Sequence, residues 1–167
     1  MAEFIIRTYP DSALRFKCKT ILKDSIDAAK IQKTFDEMLM TMYSNKGIGL
    51  ASSQVGINEQ VMVVDIGDGP LKFMNPVIIK KEGDAVMEEG CLSLPGVAVS
   101  VKRAKKVVLK ALNEKLIPIT IEAEGLLARV IQHEVDHLCG VLIIDYMNPI
   151  KKVVTACRLC ASKKPTA

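Results

Sequence analysis

His133-Glu134-Val135-Asp136-His137 holds both histidines of the 167-residue chain. Histidines at i and i+4 project from one face of a helix, close enough to grip a single metal ion. A glutamate beside the first can take a proton from a water that the ion activates. With no third histidine available, any further protein ligand must be Cys, Asp or Glu. Identifying that ligand decides what the site does.

The residues before this run predict the element that positions it. Leu126, Val130, His133 and His137 form one stripe at helical spacing, flanked by Leu127, Ile131, Glu134 and Leu138. Gly140 supplies a C′ stop. A helix this apolar is buried, and two histidines and a glutamate on a buried stripe are costly unless something satisfies them. A metal ion would.

A third histidine in the pattern HExxHxxGxxH is excluded, because position 143 is Ile. The only acid after His137 is Asp145, too near to serve as a late helical ligand. The ligand is therefore upstream or is a downstream cysteine. Cys91 is the leading candidate, in Glu88-Glu89-Gly90-Cys91-Leu92-Ser93-Leu94-Pro95-Gly96, where glycines and a proline imply a sharply shaped loop. One thiolate and two imidazoles suit a tetrahedral site with an open fourth position. Cys139 with the pair Cys157 and Cys160 is a competing arrangement, suited to a structural zinc. Cys18 reads as a small buried hydrophobe.

Composition sets the frame. Apolar residues make up 49% and charged residues 25%, as in a globular protein. No apolar run approaches the ~18 residues of a membrane span, and the first residues do not resemble a secretory signal. The expected location is the cytoplasm. Five cysteines, an odd number, argue against a disulfide framework. Residues 146–167 hold five basic and no acidic side chains, so the rest of the chain carries −1 of the total +4. This basic tail is either a solvated helix or a contact for nucleic acid.

A single domain over 1–167 is expected, with a basic C-terminal helix and tail over about 148–167. Residues 25–43 predict an amphipathic helix with Asp24 or Ser25 as N-cap. Residues 59–66 and 71–80 predict strands around the turn Gly67-Asp68-Gly69-Pro70. Residues 105–113 and 115–123 predict a hairpin, with Pro118 moving its second strand to a sheet edge. Residues 141–144 predict a short strand, and Asn148-Pro149 the start of a last helix. Strands grouped before a central helix indicate an α+β fold: antiparallel sheets around the HExxH helix, with an N-terminal amphipathic helix and a C-terminal helix.

Three strings in this order, Gly47-Ile48-Gly49-Leu50-Ala51-Ser52-Ser53-Gln54, Glu89-Gly90-Cys91-Leu92-Ser93 and Gln132-His133-Glu134-Val135-Asp136-His137, resemble the signature motifs of the peptide deformylases. The resemblance runs from Tyr9-Pro10-Asp11 to Gly140 and Asp145. It implies removal of the N-formyl group from the initiator methionine of new polypeptides, with release of formate. It implies that Cys91, His133 and His137 bind a catalytic metal, usually Fe(II), with zinc, nickel or cobalt able to occupy the site. Glu134 would move the proton, and Gln54 and the backbone N–H of Leu92 would hold the oxyanion.

The resemblance further implies that the peptide binds as an added strand near Ile48 and Gly90. Ile48, Met87, Leu126, Val130 and the stem of Arg129 would line a methionine pocket. Gly47 and Gly49 would allow close backbone approach to the substrate, and Asp136 would orient neighbouring groups. Ser52 departs from the usual alanine, and Arg129 brings a charge to the pocket rim, where it alters preference or snorkels. The partners implied are formyl-Met nascent peptides and, through the basic tail, the ribosome; no membrane and no sequence-specific nucleic acid are expected. The competing readings are a metallopeptidase cutting ordinary peptide bonds and a zinc-stabilised binding domain without activity.

Overall fold

The computed structural model describes residues 3–22, 24 and 26–161. Among the described residues, an N-terminal helix, α1 (Ala28–Ser44), leads into seven strands. These are β1 (Gly49–Ala51), β2 (Val61–Val64), β3 (Leu71–Glu82), β4 (Ala85–Gly90), β5 (Ala98–Arg103), β6 (Lys106–Leu112) and β7 (Pro118–Glu124). The HExxH helix α2 (Gly125–Leu138) and a last helix α3 (Pro149–Ala161) follow. The fold is α+β, as expected. One antiparallel sheet has the order β1-β2-β3-β6-β7, and β4-β5 form a separate hairpin.

The larger sheet lies between two helices, and β2 shows why. Met62 and Val64 pack with Ala128, Val130 and Ile131 of α2. Val61 and Val63, on the other face, pack with Phe35, Met38 and Met42 of α1. A strand covered on both faces has no polar alternation, and all four residues of β2 are buried. β6 shows the half-covered pattern, with Val107, Leu109 and Ala111 turned inward between more exposed neighbours. A third cluster joins the β4-β5 hairpin to the C-terminal segment through Val99, Val101, Leu142, Ile144 and Leu159.

Several expectations shift. The N-terminal helix begins at Ala28 and is capped by Asp27, whose side chain accepts from the Lys30 N–H at 3.0 Å. Asp24 is therefore not the cap, and Ser25 lies outside the described residues. Residues 141–144 are not a strand: a 3-10 turn runs from Ile143–Tyr146, held by Asp145 accepting from the Leu142 N–H. The hairpin β4-β5 departs from the pattern of residues 88–96, which reads as loop; the loop starts only after Gly90. Pro118 does open an edge strand, Gly140 has a positive φ of 74° just beyond the α2 C-cap, and Asn148 caps α3 by accepting from the Lys151 N–H. Of the C-terminal tail, residues 162–167 lie outside the described residues.

Candidate metal centre and active site

Helix α2 starts abruptly from the end of β7. Gly125, at φ 63°, makes the turn, and its N–H bonds to Lys105 O at 3.0 Å. This places the HExxH face against β1 and under the loop that leaves β4. The loop is closed by the Leu94 N–H donating to Cys91 O and the Val97 N–H donating to Leu94 O. Cys91 thereby meets both histidines: its Sγ lies 3.1 Å from His137 Nε2, which is 3.2 Å from His133 Nε2. The three donor atoms all lie within 4.8 Å of one another.

The donor set fits a divalent ion. Bonds of about 2.0–2.3 Å to two imidazoles and a thiolate need ligand atoms separated by only a few ångströms. Burial takes the His137 pKa well below its usual value, leaving a neutral imidazole with a lone pair to give. Its Nδ1 is buried without a hydrogen-bond partner. Burial alone would lower the His133 pKa too, but hydrogen bonds with Cys91 and Glu89 take it to about 10. Among the described residues, no other group of three or more His, Cys, Asp or Glu side chains converges in this way. Cys139, Cys157 and Cys160 are exposed and do not form the competing site.

Glu134 is nearly fully buried, and its Oε2 has no hydrogen-bond partner. Burial is the main cause that raises its pKa to about 7. Gly49 is what makes room for it: a Cβ there would stand 2.3 Å from Glu134 Oε1 and 2.8 Å from Val130 Cγ1. The glycine thus accommodates the carboxylate, a contact that the motif alone does not suggest. Gly47 similarly accommodates Leu92 and Met42.

Gln54 sits on the 3-10 turn Ser52–Val55, which follows β1 directly. Its Oε1 accepts from the Ala51 N–H at 2.8 Å, and its Nε2 reaches Ser93 Oγ at 3.2 Å and Cys91 Sγ at 3.6 Å. Ser53 Oγ donates to His137 O at 3.1 Å, tying the turn to α2. Ser52 donates to Glu59 O, so the exchange for alanine gains a local bond.

These groups form the base of a cavity of about 400 Å³. Ile48 and Gly49 line it from β1 and the residue before it, Met87 and Gly90 from β4, and Leu126 and Val130 from α2; Leu92 also borders it. Ile48, Met87 and Leu126 are each about half exposed, which marks an open apolar mouth.

Arg129 borders the cavity but does not present its charge at the rim. It is 5% exposed, and its guanidinium donates to Glu89 Oε1 at 2.6 Å, Ala85 O at 2.7 Å and Val101 O at 3.0 Å. Of the two expectations for Arg129, snorkelling does not occur: its charge is a cross-brace between α2 and the β4-β5 hairpin. Glu89 is the centre of this network. It receives Arg103 through Nε at 2.8 Å and NH2 at 2.9 Å, and it lies 2.9 Å from His133 Nδ1. Burial would raise the Glu89 pKa, but the bonds from Arg103 and His133 hold it at about 2. Asp136 accepts from Arg103 at 2.6 Å and from Tyr146 at 2.7 Å. Sequence reasoning misses the roles of Glu89, Arg103 and Ser93. A signal for Arg103 exists, since it takes the inward position after Val99 and Val101 in β5, where a charge requires a partner.

Comparison with known proteins gives a consistent result. The family profile described as Polypeptide deformylase matches residues 4–153. Peptide deformylase from Clostridium botulinum is 53% identical over 140 residues, covering 84% of this chain and 93% of that protein. Peptide deformylase 2 from Xanthomonas axonopodis pv. citri is 39% identical over the full length of both chains. Among solved structures, a peptide deformylase from Legionella pneumophila superposes with a TM-score of 0.88 at 36% identity, covering 98% of this chain and all of that one. A peptide deformylase from Synechococcus elongatus, in complex with actinonin, superposes with a TM-score of 0.85 at 38% identity, covering 94% of this chain and 86% of that one.

Proposed function

This chain belongs to the peptide deformylase family, and on that premise we propose how its own residues carry out the reaction. The family is metal-dependent and removes the N-formyl group from nascent peptides; this chain is such an enzyme. The observation that supports the residue assignment best is the meeting of Cys91 Sγ with two histidine Nε2 atoms beside a buried glutamate. In this reading Cys91, His133 and His137 hold the ion: Fe(II) natively, with zinc, nickel or cobalt as substitutes. The bound ion supplies Lewis-acid polarisation and makes water acidic enough to react near neutral pH.

The protein supplies the remainder. Glu134 accepts the proton of the attacking water and returns it to the departing amine nitrogen. A carboxylate whose pKa stands at about 7 suits both steps. As the formyl carbon becomes tetrahedral its oxygen gains negative charge, and Gln54 Nε2 and the Leu92 N–H donate to it. Ile48 and Gly90 pair with the peptide backbone as it lies between β1 and β4. The methionine side chain enters the apolar mouth between Met87, Leu126, Val130 and the Arg129 stem, with Gly49 beside it. Asp136 holds Arg103, and through it Glu89, against His133.

The decisive experiment measures formate release from a formyl-Met peptide by protein of known metal content. Glu134→Gln is expected to lower kcat by about 10³-fold with metal retained. Near wild-type turnover would reject this mechanism. Substantial cleavage of unformylated peptides would favour a metallopeptidase instead.

The basic helix α3 and tail are proposed to dock on the ribosome where formylated chains emerge, in the cytoplasm. Lys151, Arg158, Ile150, Val153 and Val154 are exposed on α3, which supports that reading. Salt-sensitive co-sedimentation with ribosomes should be lost in Lys151→Glu with Arg158→Glu. Unchanged co-sedimentation would reject it.

A further inference from the structure

Gln54 can act as an oxyanion donor only if its carboxamide points the right way. A carboxamide has two nearly isosteric orientations, and only neighbours with fixed hydrogen-bonding roles can choose between them. The Ala51 N–H can only donate, so it selects Oε1. The other end of the amide meets Ser93 Oγ at 3.2 Å, and both residues are buried. A hydroxyl could in principle act as donor or acceptor, but with Oε1 already committed to Ala51 it must accept from Nε2. One Nε2 hydrogen is then occupied by Ser93, and the other is directed along the side where Cys91 Sγ lies, 3.6 Å away.

Ser93 is itself held in place by the N-terminal segment. The Arg7 N–H donates to Gln54 O at 2.7 Å, and the Tyr9 N–H donates to Ser93 O at 2.9 Å. Residues 7–9 thus form a backbone strap across the two segments, which are 39 residues apart in sequence. The side-chain bond bridges the same two segments that the strap holds in register.

We propose that Ser93 is a positioning residue: strapped to the Gln54 turn by residues 7–9, it fixes the Gln54 carboxamide with Nε2 facing the reacting centre. This rests on the reading of Gln54 as oxyanion donor. Ser93 is fully buried and is not among the residues that line the cavity. Its contribution is preorganisation, which matters because a donor that must reorient as charge develops loses part of its effect.

The test is a double-mutant cycle on metal-loaded enzyme with a formyl-Met peptide, reading kcat, KM, metal content and melting temperature. Ser93→Ala is expected to lower kcat about tenfold, with KM within about twofold and metal content unchanged. In a Gln54→Ala background, where kcat is already about a hundredfold down, Ser93→Ala should have no further effect on kcat. A merely structural serine would give losses that multiply, or a fall in melting temperature that accounts for the loss; either result overturns the proposal. Unchanged kcat in Ser93→Ala alone also overturns it, while leaving Gln54 as donor if Gln54→Ala is impaired. Near wild-type kcat in Gln54→Ala overturns the donor reading itself, and the Ser93 role with it.

Discussion

Helices α2 and α3 carry the same kind of signal and reach opposite outcomes. Each places potential metal ligands at helical spacing, His133 and His137 on α2 and Cys157 and Cys160 on α3. On α2 the pair lies in the core, and the loop after β4 brings Cys91 Sγ to within 3.1 Å of His137 Nε2. On α3 only Leu159 is buried, both cysteines face solvent, and no third ligand approaches among the described residues. Spacing within a helix therefore supplies only two donors. A site also needs burial, which removes competing water, and a third group from a distant segment.

The contrast can be tested from its strongest point to its weakest. Cys91→Ser should remove the distant ligand, since serine does not give an anionic donor at neutral pH. Metal retention should collapse and formate release fall by about 10³-fold or more; full metal occupancy in this variant would exclude Cys91 from the site. Glu89→Ala tests the surroundings that α2 has and α3 lacks. It leaves Arg103 and Arg129 buried without their shared carboxylate, so unfolding stability should drop by about 3–5 kcal/mol. Metal affinity should weaken by about 10–100-fold, because His133 loses its Nδ1 partner. Denaturant titration and metal competition measure the two effects, and a loss below about 1 kcal/mol, well under the cost of stranding a buried charge, would show the network to be dispensable.

Asp145 lies between the two helices and links α3 to the body. Burial would raise its pKa, but bonds from Arg15, Lys152 and the Leu142 N–H bring it down to about 2. A carboxylate with a depressed folded pKa adds stability that is complete above about pH 4 and is lost as the pH falls towards 2. Asp145→Asn should remove that part of the acid slope and cost about 1 kcal/mol at neutral pH, after allowance for solvent screening. An identical acid limb in the variant would refute the assignment. The smallest effect is expected on α3: Cys157→Ser with Cys160→Ser should leave metal stoichiometry unaltered and stability within about 0.5 kcal/mol. Loss of bound metal there would reveal a second site.

Within the active site the two contributions can be separated in the same way. His133, Glu134 and His137 share a face because a helix repeats every 3.6 residues, so their juxtaposition is legible in the sequence alone. Residues 125–138 also show the apolar stripe that buries them. Cys91 can be related to that helix only through the shortage of histidine and the shape of its loop, and Gln54 only through the ordered set of three motifs, because nothing local relates positions 54, 91 and 133. Arg129 shows where reading by type fails: a charge beside an apolar pocket suggests a solvated rim, yet Glu89 and two backbone carbonyls absorb it.

By itself, then, the sequence determined the α+β grouping, the HExxH helix, the edge position of Pro118 and the shortage of histidine that directs the search for a third ligand to cysteine. These follow from short-range rules of periodicity, turn chemistry and counting. Only the tertiary structure decided that Glu134 is accommodated by the missing Cβ of Gly49 and that Glu89 joins two buried arginines to His133. It also decided that Ser93 and the strap at residues 7–9 orient Gln54. Each of these joins segments tens of residues apart through close contacts, and such contacts arise from the packing of the chain as a whole.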